Sequence, residues 1–402
     1  MSLTHEERVA RLAAIAVELG ANVQPGQVLG VTGTFGQEEL VRAIAVEAYR
    51  RGAKWVDPFY FDYHVKKARL QHASEETLDW VPPWIGERLL AMEREGSARV
   101  ALTGPTVPHL FDDVDPARAG RDQLPFIKEV VEVIDRRTMN WTVVPCPGPA
   151  WAALVYPDLP PDEALETLWK AVEHVCRLDT PDPAAAWRER AAQLGRAATT
   201  LTALRLDRLR FQGPGTDLTV GLLPSSRWMA ATETTVSGIE HLANLPTEEV
   251  FATPDPLRTH GVVRSTKPLL NSGAVIRDLV VRFEQGRAVD IQASSGAEVL
   301  RGRVAMDEGA ARLGEVALVD RESRIGKLNT IFYETLLDEN AASHIALGAG
   351  FPFGVDDEAD KARVNRSAIH IDFMIGADDV EVTGVTQDGR ELPLLRGGAW
   401  QI

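Results

Sequence analysis

"GQVLGVTGTFGQEELVRAIAVEAYRRGAKWVDPFYF", residues 26–61, decides the fold class. A short apolar run (26–33) is followed by a helical pattern (37–52) that ends in basic residues and glycine, and then by a second run rich in aromatic residues (53–61). Strand, helix and strand in that order make one unit of an α/β layer. "SARVALTGP" and "MNWTVVPCPGP" repeat the strand signal after intervening helical stretches, so the spacing predicts a mostly parallel sheet. Helical patterns then run from about Asp162 to Thr200, broken by "DTPDPA", and the character of the chain changes. "LRLDRLRFQGPGTDLTVGL", "AVIRDLVVRFEQGRAVDIQAS" and "VEVTGVTQDGRELPLLRGGAWQI" read as hairpins, with "EQGR" and "QDGR" as turns. The expectation is an N-terminal α/β domain over residues 1–185 and a C-terminal α+β domain over 186–402 with a mixed or antiparallel sheet.

The opening segment, "MSLTHEERVARLAAIAVELG", offers Ser2 or Thr4 as an N-cap and apolar residues at helical spacing from Val9 through Leu19. It is an amphipathic helix and lacks the basic start and unbroken apolar run of a signal peptide. No apolar stretch approaches the roughly 20 residues that span a bilayer. With 402 residues, 45% of them hydrophobic, the chain can bury a large core. A net charge of -15 offers no general attraction for nucleic acid or an anionic membrane surface. Cys146 and Cys176 are the only cysteines, too few for a disulfide framework or a CxxC zinc site, and they fit the reducing cytoplasm.

Several chemistries lack their motifs. There is no GxSxG elbow and no GxxxxGK[ST] loop, and "HEERV" lacks the second histidine of HExxH. "GPG" (213–215) and "GAG" (348–350) read as turns. His64, His72, His109, His174, His241 and His260 read as core or surface histidines, although His109 beside Asp112 and Asp113 is also a metal candidate.

The second half carries the stronger signals. "NLPTEEVFATPDP" (244–256) sets Glu248 beside Glu249, where like charges repel and neither is buried cheaply. "SAIHIDFMIG" places His370, Asp372 and Met374 on one face of a strand, because side chains alternate with period two. His344 stands among small and apolar residues in "DENAASHIALGAGF", and Glu315 begins an apolar run in "ARLGEVALVD". Singly, these read as a solvated strand face, a core histidine bonded to backbone and a strand-end glutamate. With Glu249 they form a set of five nitrogen and oxygen donors suited to zinc, cobalt or manganese, with carboxylates able to bridge two ions.

The stretches "TETTVSGIEHLANLPTEEVFATPDP", "LGEVALV", "LLDENAASHIALG" and "NRSAIHIDFMIG", in that order, resemble the M29 metallo-aminopeptidases, the thermophilic aminopeptidase or aminopeptidase T family. The resemblance covers the whole chain, more loosely in the first half. It implies a dinuclear site in which Glu249, Glu315, His344, His370 and Asp372 hold two divalent ions (zinc, cobalt, manganese or magnesium), Glu315 bridging. It further implies Glu248 as acid and base, peptide substrates cut after the N-terminal residue by a metal-activated water, and a homodimer. One position departs from the family pattern: Phe351 stands before Pro352 where a tyrosine is expected, and phenylalanine has no hydroxyl to coordinate or donate. Two other expectations therefore stand beside the first. One is a catalytically weak or non-hydrolytic relative that binds peptide or metal; the other is a metal hydrolase of a different amide or ester.

Overall fold

In the computed structural model, Thr4 starts helix α1 (His5–Ile15) with a capping box: its hydroxyl accepts from Glu7 N–H and the Glu7 carboxylate accepts from Thr4 N–H. Ser2, the other candidate cap, lies outside the described residues, which are 3–122, 124, 125, 127–271 and 274–402. Residues 26–61 fold as β1 (Val28–Thr34), α2 (Glu38–Arg50) and β2 (Trp55–Phe61). With β3 (Ala98–Thr103) and β4 (Asn140–Pro145) these strands form a parallel sheet in the order β2-β1-β3-β4. Helix α2 buries Leu40, Val41, Ile44 and Ala48, a single stripe at helical spacing.

The chain divides into two compact units, one running to Arg190 and taking in Thr232–Thr247, the other made of Ala191–Ala231 and Glu248–Ile402. Strands β5 (Leu206–Gly213) and β6 (Thr216–Leu222) belong to the second unit, whereas β7 (Thr232–Thr234) and β8 (Glu240–Leu242) pair within the first. The second unit continues with β9 (Glu249–Ala252), β10 (Pro254–Arg264), β11 (Leu269–Asn271), β12 (Ala274–Ile276), β13 (Val280–Glu284) and β14 (Arg287–Gln292). It ends with β15 (Leu313–Val319), β16 (His344–Gly348), β17 (His370–Met374), β18 (Glu381–Thr386), β19 (Glu391–Arg396) and β20 (Ala399–Trp400).

An eight-stranded sheet runs in the order β14-β13-β10-β6-β5-β18-β19-β20, and every pairing in it is antiparallel. The "EQGR" turn joins β13 to β14 with Gln285 and Gly286 both at positive φ (49° and 80°), the backbone that a two-residue hairpin needs. A separate four-stranded sheet, β17-β16-β15-β9, is also antiparallel throughout. All seven residues of β15, an interior strand, are buried, and Glu315 is one of them. Among the described residues no helix is long and apolar enough to cross a membrane.

Candidate metal centre

Register in the four-stranded sheet decides which side chains meet, because residues paired across strands point to the same face. Val319 pairs with Glu249; Ala317 pairs with both Phe251 and His344; Ala346 pairs with both Glu315 and Asp372; Gly348 pairs with His370. Stepping by two along each strand therefore puts Glu249, Glu315, His344, His370 and Asp372 on one face. Ala317, Ala346 and Gly348 lie between them on that face, and their small side chains leave room above the sheet.

Five residues from four strands converge as two groups of three, Glu249 with Glu315 and His344, and Glu315 with His370 and Asp372; within each group the donor atoms lie within 4.8 Å of one another. Glu315 is common to both. His344 Nε2 is 2.9 Å from Glu249 Oε2 and 4.0 Å from Glu315 Oε1. His370 Nε2 is 3.1 Å from Glu315 Oε2 and 3.5 Å from Asp372 Oδ1. Each imidazole turns its other nitrogen to a backbone carbonyl, His344 Nδ1 to Ala342 at 3.1 Å and His370 Nδ1 to Ala349 at 2.8 Å. A carbonyl can only accept, so Nδ1 carries a proton and Nε2 is the nitrogen free to ligate.

The "GAG" segment proves to be more than a turn. Gly348 is the last residue of β16 at φ +107°, and a Cβ there would lie 2.0 Å from the Ile369 carbonyl oxygen. Only glycine permits that approach, which brings the next residue, Ala349, behind the His370 ring.

The donor set fits a cation. Glu249 Oε2 and Asp372 Oδ1 are buried with no aligned hydrogen-bond partner among the described residues, although each faces a histidine Nε2. Burial pushes the Glu315 carboxyl up, with the Asp372 charge adding to it and the His370 hydrogen bond opposing. Burial works against a charged imidazole at His344, yet Glu249, Asp372 and Glu315 hold its pKa well above the usual value, and Asp372 and Glu315 do the same for His370. Protons thus occupy positions that a divalent ion would take.

Glu339, which no sequence pattern singles out, belongs to this neighbourhood. It ends the short helix Thr335–Glu339, and its carboxyl is driven well above its ordinary range by burial first and then by the charges of Asp372 and Glu249. The adjacent Asn340 is fully buried and accepts the Glu248 backbone N–H through Oδ1 at 2.6 Å. Glu248 itself is 0% exposed. Phe351 packs its ring 5.2 Å from the His370 ring, centroid to centroid, so this position touches a candidate ligand. His109, by contrast, forms an exposed pair with Asp112, while Asp113 is engaged by Lys67, and no three-donor group includes it among the described residues.

Comparison with known proteins relates this chain to metalloproteases and aminopeptidases. The sequence pattern of the family described as thermophilic metalloprotease (M29) matches residues 5–400. The chain is 40% identical over 405 residues to aminopeptidase T of Thermus thermophilus, covering 99% of both chains. It is 38% identical over 405 residues to aminopeptidase 2 of Geobacillus stearothermophilus, covering 98% of both. The solved structure of wild-type AmpT from Thermus thermophilus superposes with a TM-score of 0.91 at 39% identity, covering 99% of this chain and 100% of that one.

Proposed function

The chain belongs to the thermophilic metalloprotease (M29) family, and from that premise we propose that it is a dinuclear metal-dependent aminopeptidase, hydrolysing the bond after the N-terminal residue of peptides. The observation that carries this reading is the pair of three-donor groups sharing Glu315 on one sheet face. Glu249 and His344 would hold one divalent ion and His370 and Asp372 the other, with Glu315 between them. Zinc, cobalt or manganese suits such a mixed imidazole and carboxylate set better than magnesium. When bound, the ions supply Lewis acidity toward the scissile carbonyl and lower the pKa of a water.

The protein's own residues do the rest. The unpartnered oxygens of Glu249 and Asp372 accept the cations, and the backbone carbonyls of Ala342 and Ala349 hold the imidazoles in the ligating tautomer. A free amine can take a coordination position that an internal peptide nitrogen cannot, which would confine cleavage to the N-terminus. Glu248 takes the proton from the attacking water and returns it to the leaving amine; its buried position beside Glu249 and its amide held by Asn340 support that role. The Phe351 ring against His370 favours one second reading, a slow catalyst at a site without that hydroxyl. A homodimer, on family resemblance, and a cytoplasmic location, on the two cysteines alone, complete the proposal, and light scattering and cell fractionation test them.

The decisive experiment is p-nitroaniline release from leucine p-nitroanilide after EDTA treatment and after adding back each metal. Activity lost on chelation and restored by zinc, cobalt or manganese is expected. Folded protein that binds two ions per chain and releases nothing would sink the reading.

A further inference from the structure

The site face is not uniformly acidic. Phe251 lies two residues beyond Glu249 on the same strand and so shares its face. Its ring centroid is 5.4 Å from that of Phe351, which in turn lies 5.5 Å from Phe353 and 5.2 Å from His370. The three phenylalanines thus form a continuous apolar wall that begins at a candidate ligand. Backbone bonds fix the wall in place: Phe251 exchanges both hydrogen bonds with Met229, and the Thr253 hydroxyl both receives the Phe351 N–H (3.3 Å) and donates to the Phe351 carbonyl (3.0 Å). Phe251 and Phe351 are half-buried, and 30% of the His370 side chain is accessible beside them. Rigid aromatic surface that stays in contact with water next to a reacting centre is surface that a ligand can cover at little ordering cost.

We infer that Phe251 and Phe351, backed by the buried Phe353, form the subsite for the side chain of the substrate's N-terminal residue, and that the enzyme selects peptides beginning with a bulky apolar residue. The inference rests on the aminopeptidase reading. With the substrate's free amine held at the metal centre, the first side chain is the substrate group near enough to reach the wall. Leucine or phenylalanine gains apolar contact there; alanine is too short to do so. A glutamate side chain would have to set its charge against apolar rings.

The test is kcat/KM on leucine, phenylalanine, alanine and glutamate p-nitroanilides with the metal-restored enzyme. Leucine and phenylalanine are expected to exceed alanine by at least about 10- to 100-fold, the range that a single methylene in an apolar pocket can produce, with glutamate poorest. In Phe251→Ala the phenylalanine-to-alanine ratio should fall about tenfold, while Phe251→Leu keeps most of it. Equal rates across the series, or a preference for alanine or glutamate, overturns the subsite. A protein that turns over none of them contradicts the aminopeptidase reading instead. In that case calorimetric titration with free L-phenylalanine, L-leucine, L-alanine and L-glutamate decides the subsite: tighter binding of the first two supports it, and no order among the four overturns it.

Discussion

Glu233 and His241 face each other across the β7–β8 hairpin with 3.7 Å between Oε2 and Nε2, and Glu249 and His344 meet at 2.9 Å on the metal-centre face; both pairs are buried, yet their charges are resolved in opposite ways. In the hairpin, burial drives Glu233 up to about 7, against the pull of Arg137, and drives His241 down to about 4. Each partner can shed its charge, so the pair needs no third party. In the candidate metal centre, Glu249, Glu315, Glu339 and Asp372 crowd together, and the acids hold both histidines protonated, His344 despite its burial. A lone buried pair neutralises itself; a crowd of acids calls for a cation.

The sharpest way to break this contrast is to remove the shared donor. Glu315→Gln should lose bound metal and lower kcat/KM by well over the roughly 10- to 100-fold that outer-shell changes typically cost. Glu233→Gln should leave the metal content unchanged. Elemental analysis of both variants, with kinetics alongside, checks the pair; a Glu315→Gln protein that keeps two ions and its activity would remove Glu315 from the centre. Next in size comes Glu248→Gln, expected to cut kcat by about 100- to 10,000-fold as general acid and base catalysis is lost, with both ions retained. Loss of ions in that variant would instead make Glu248 a ligand.

The same contrast explains what the sequence made legible. Strand and helix alternation in residues 26–61 foretold the parallel sheet, since each element there is local and its apolar period intact. The "EQGR" and "QDGR" turns foretold hairpins for the same reason. Within the centre, His370 and Asp372 were readable as a pair because period two lies along a single strand. The order β17-β16-β15-β9 was not readable, being set by packing between segments as far apart as Glu249 and Asp372. Glu339 was passed over because it sits at a helix end, where strand alternation says nothing about direction. His241 was read only as a core or surface histidine, and its pairing with Glu233 was not readable, because one cross-strand pair leaves no pattern along the chain.

A smaller effect sharpens the comparison from the hairpin side. Glu233 has a folded pKa of about 7 against an ordinary value of 4.5. Below the lower value both folded and unfolded states hold the proton. As pH rises between the two values the unfolded state releases its proton first, so stability falls, and above the higher value the loss is complete, at roughly 3 kcal/mol. Glutamine cannot ionise, so Glu233→Gln should raise the thermal midpoint by several degrees at about pH 8 and by little near pH 4.5. Thermal melts at both pH values test this, and parallel shifts at the two would show that Glu233 does not titrate as its burial requires.

The smallest expected change is at Phe351, where the apolar wall meets the acidic face. A hydroxyl placed on this ring by Phe351→Tyr would stand near His370, since the rings are already 5.2 Å apart. If the two ions and Glu248 supply what the reaction needs, turnover should change less than about tenfold, because a donor absent from the native chain is not one its site was built around. The apolar subsite should meanwhile weaken slightly, as the wall acquires a polar atom that must find a partner. A gain of about 100- to 1000-fold, the size typical of an oxyanion-stabilising donor, would point the other way. The native chain would then be a slow catalyst whose site trades turnover for apolar contact, and the boundary between acidic face and aromatic wall would be the place where that trade is set.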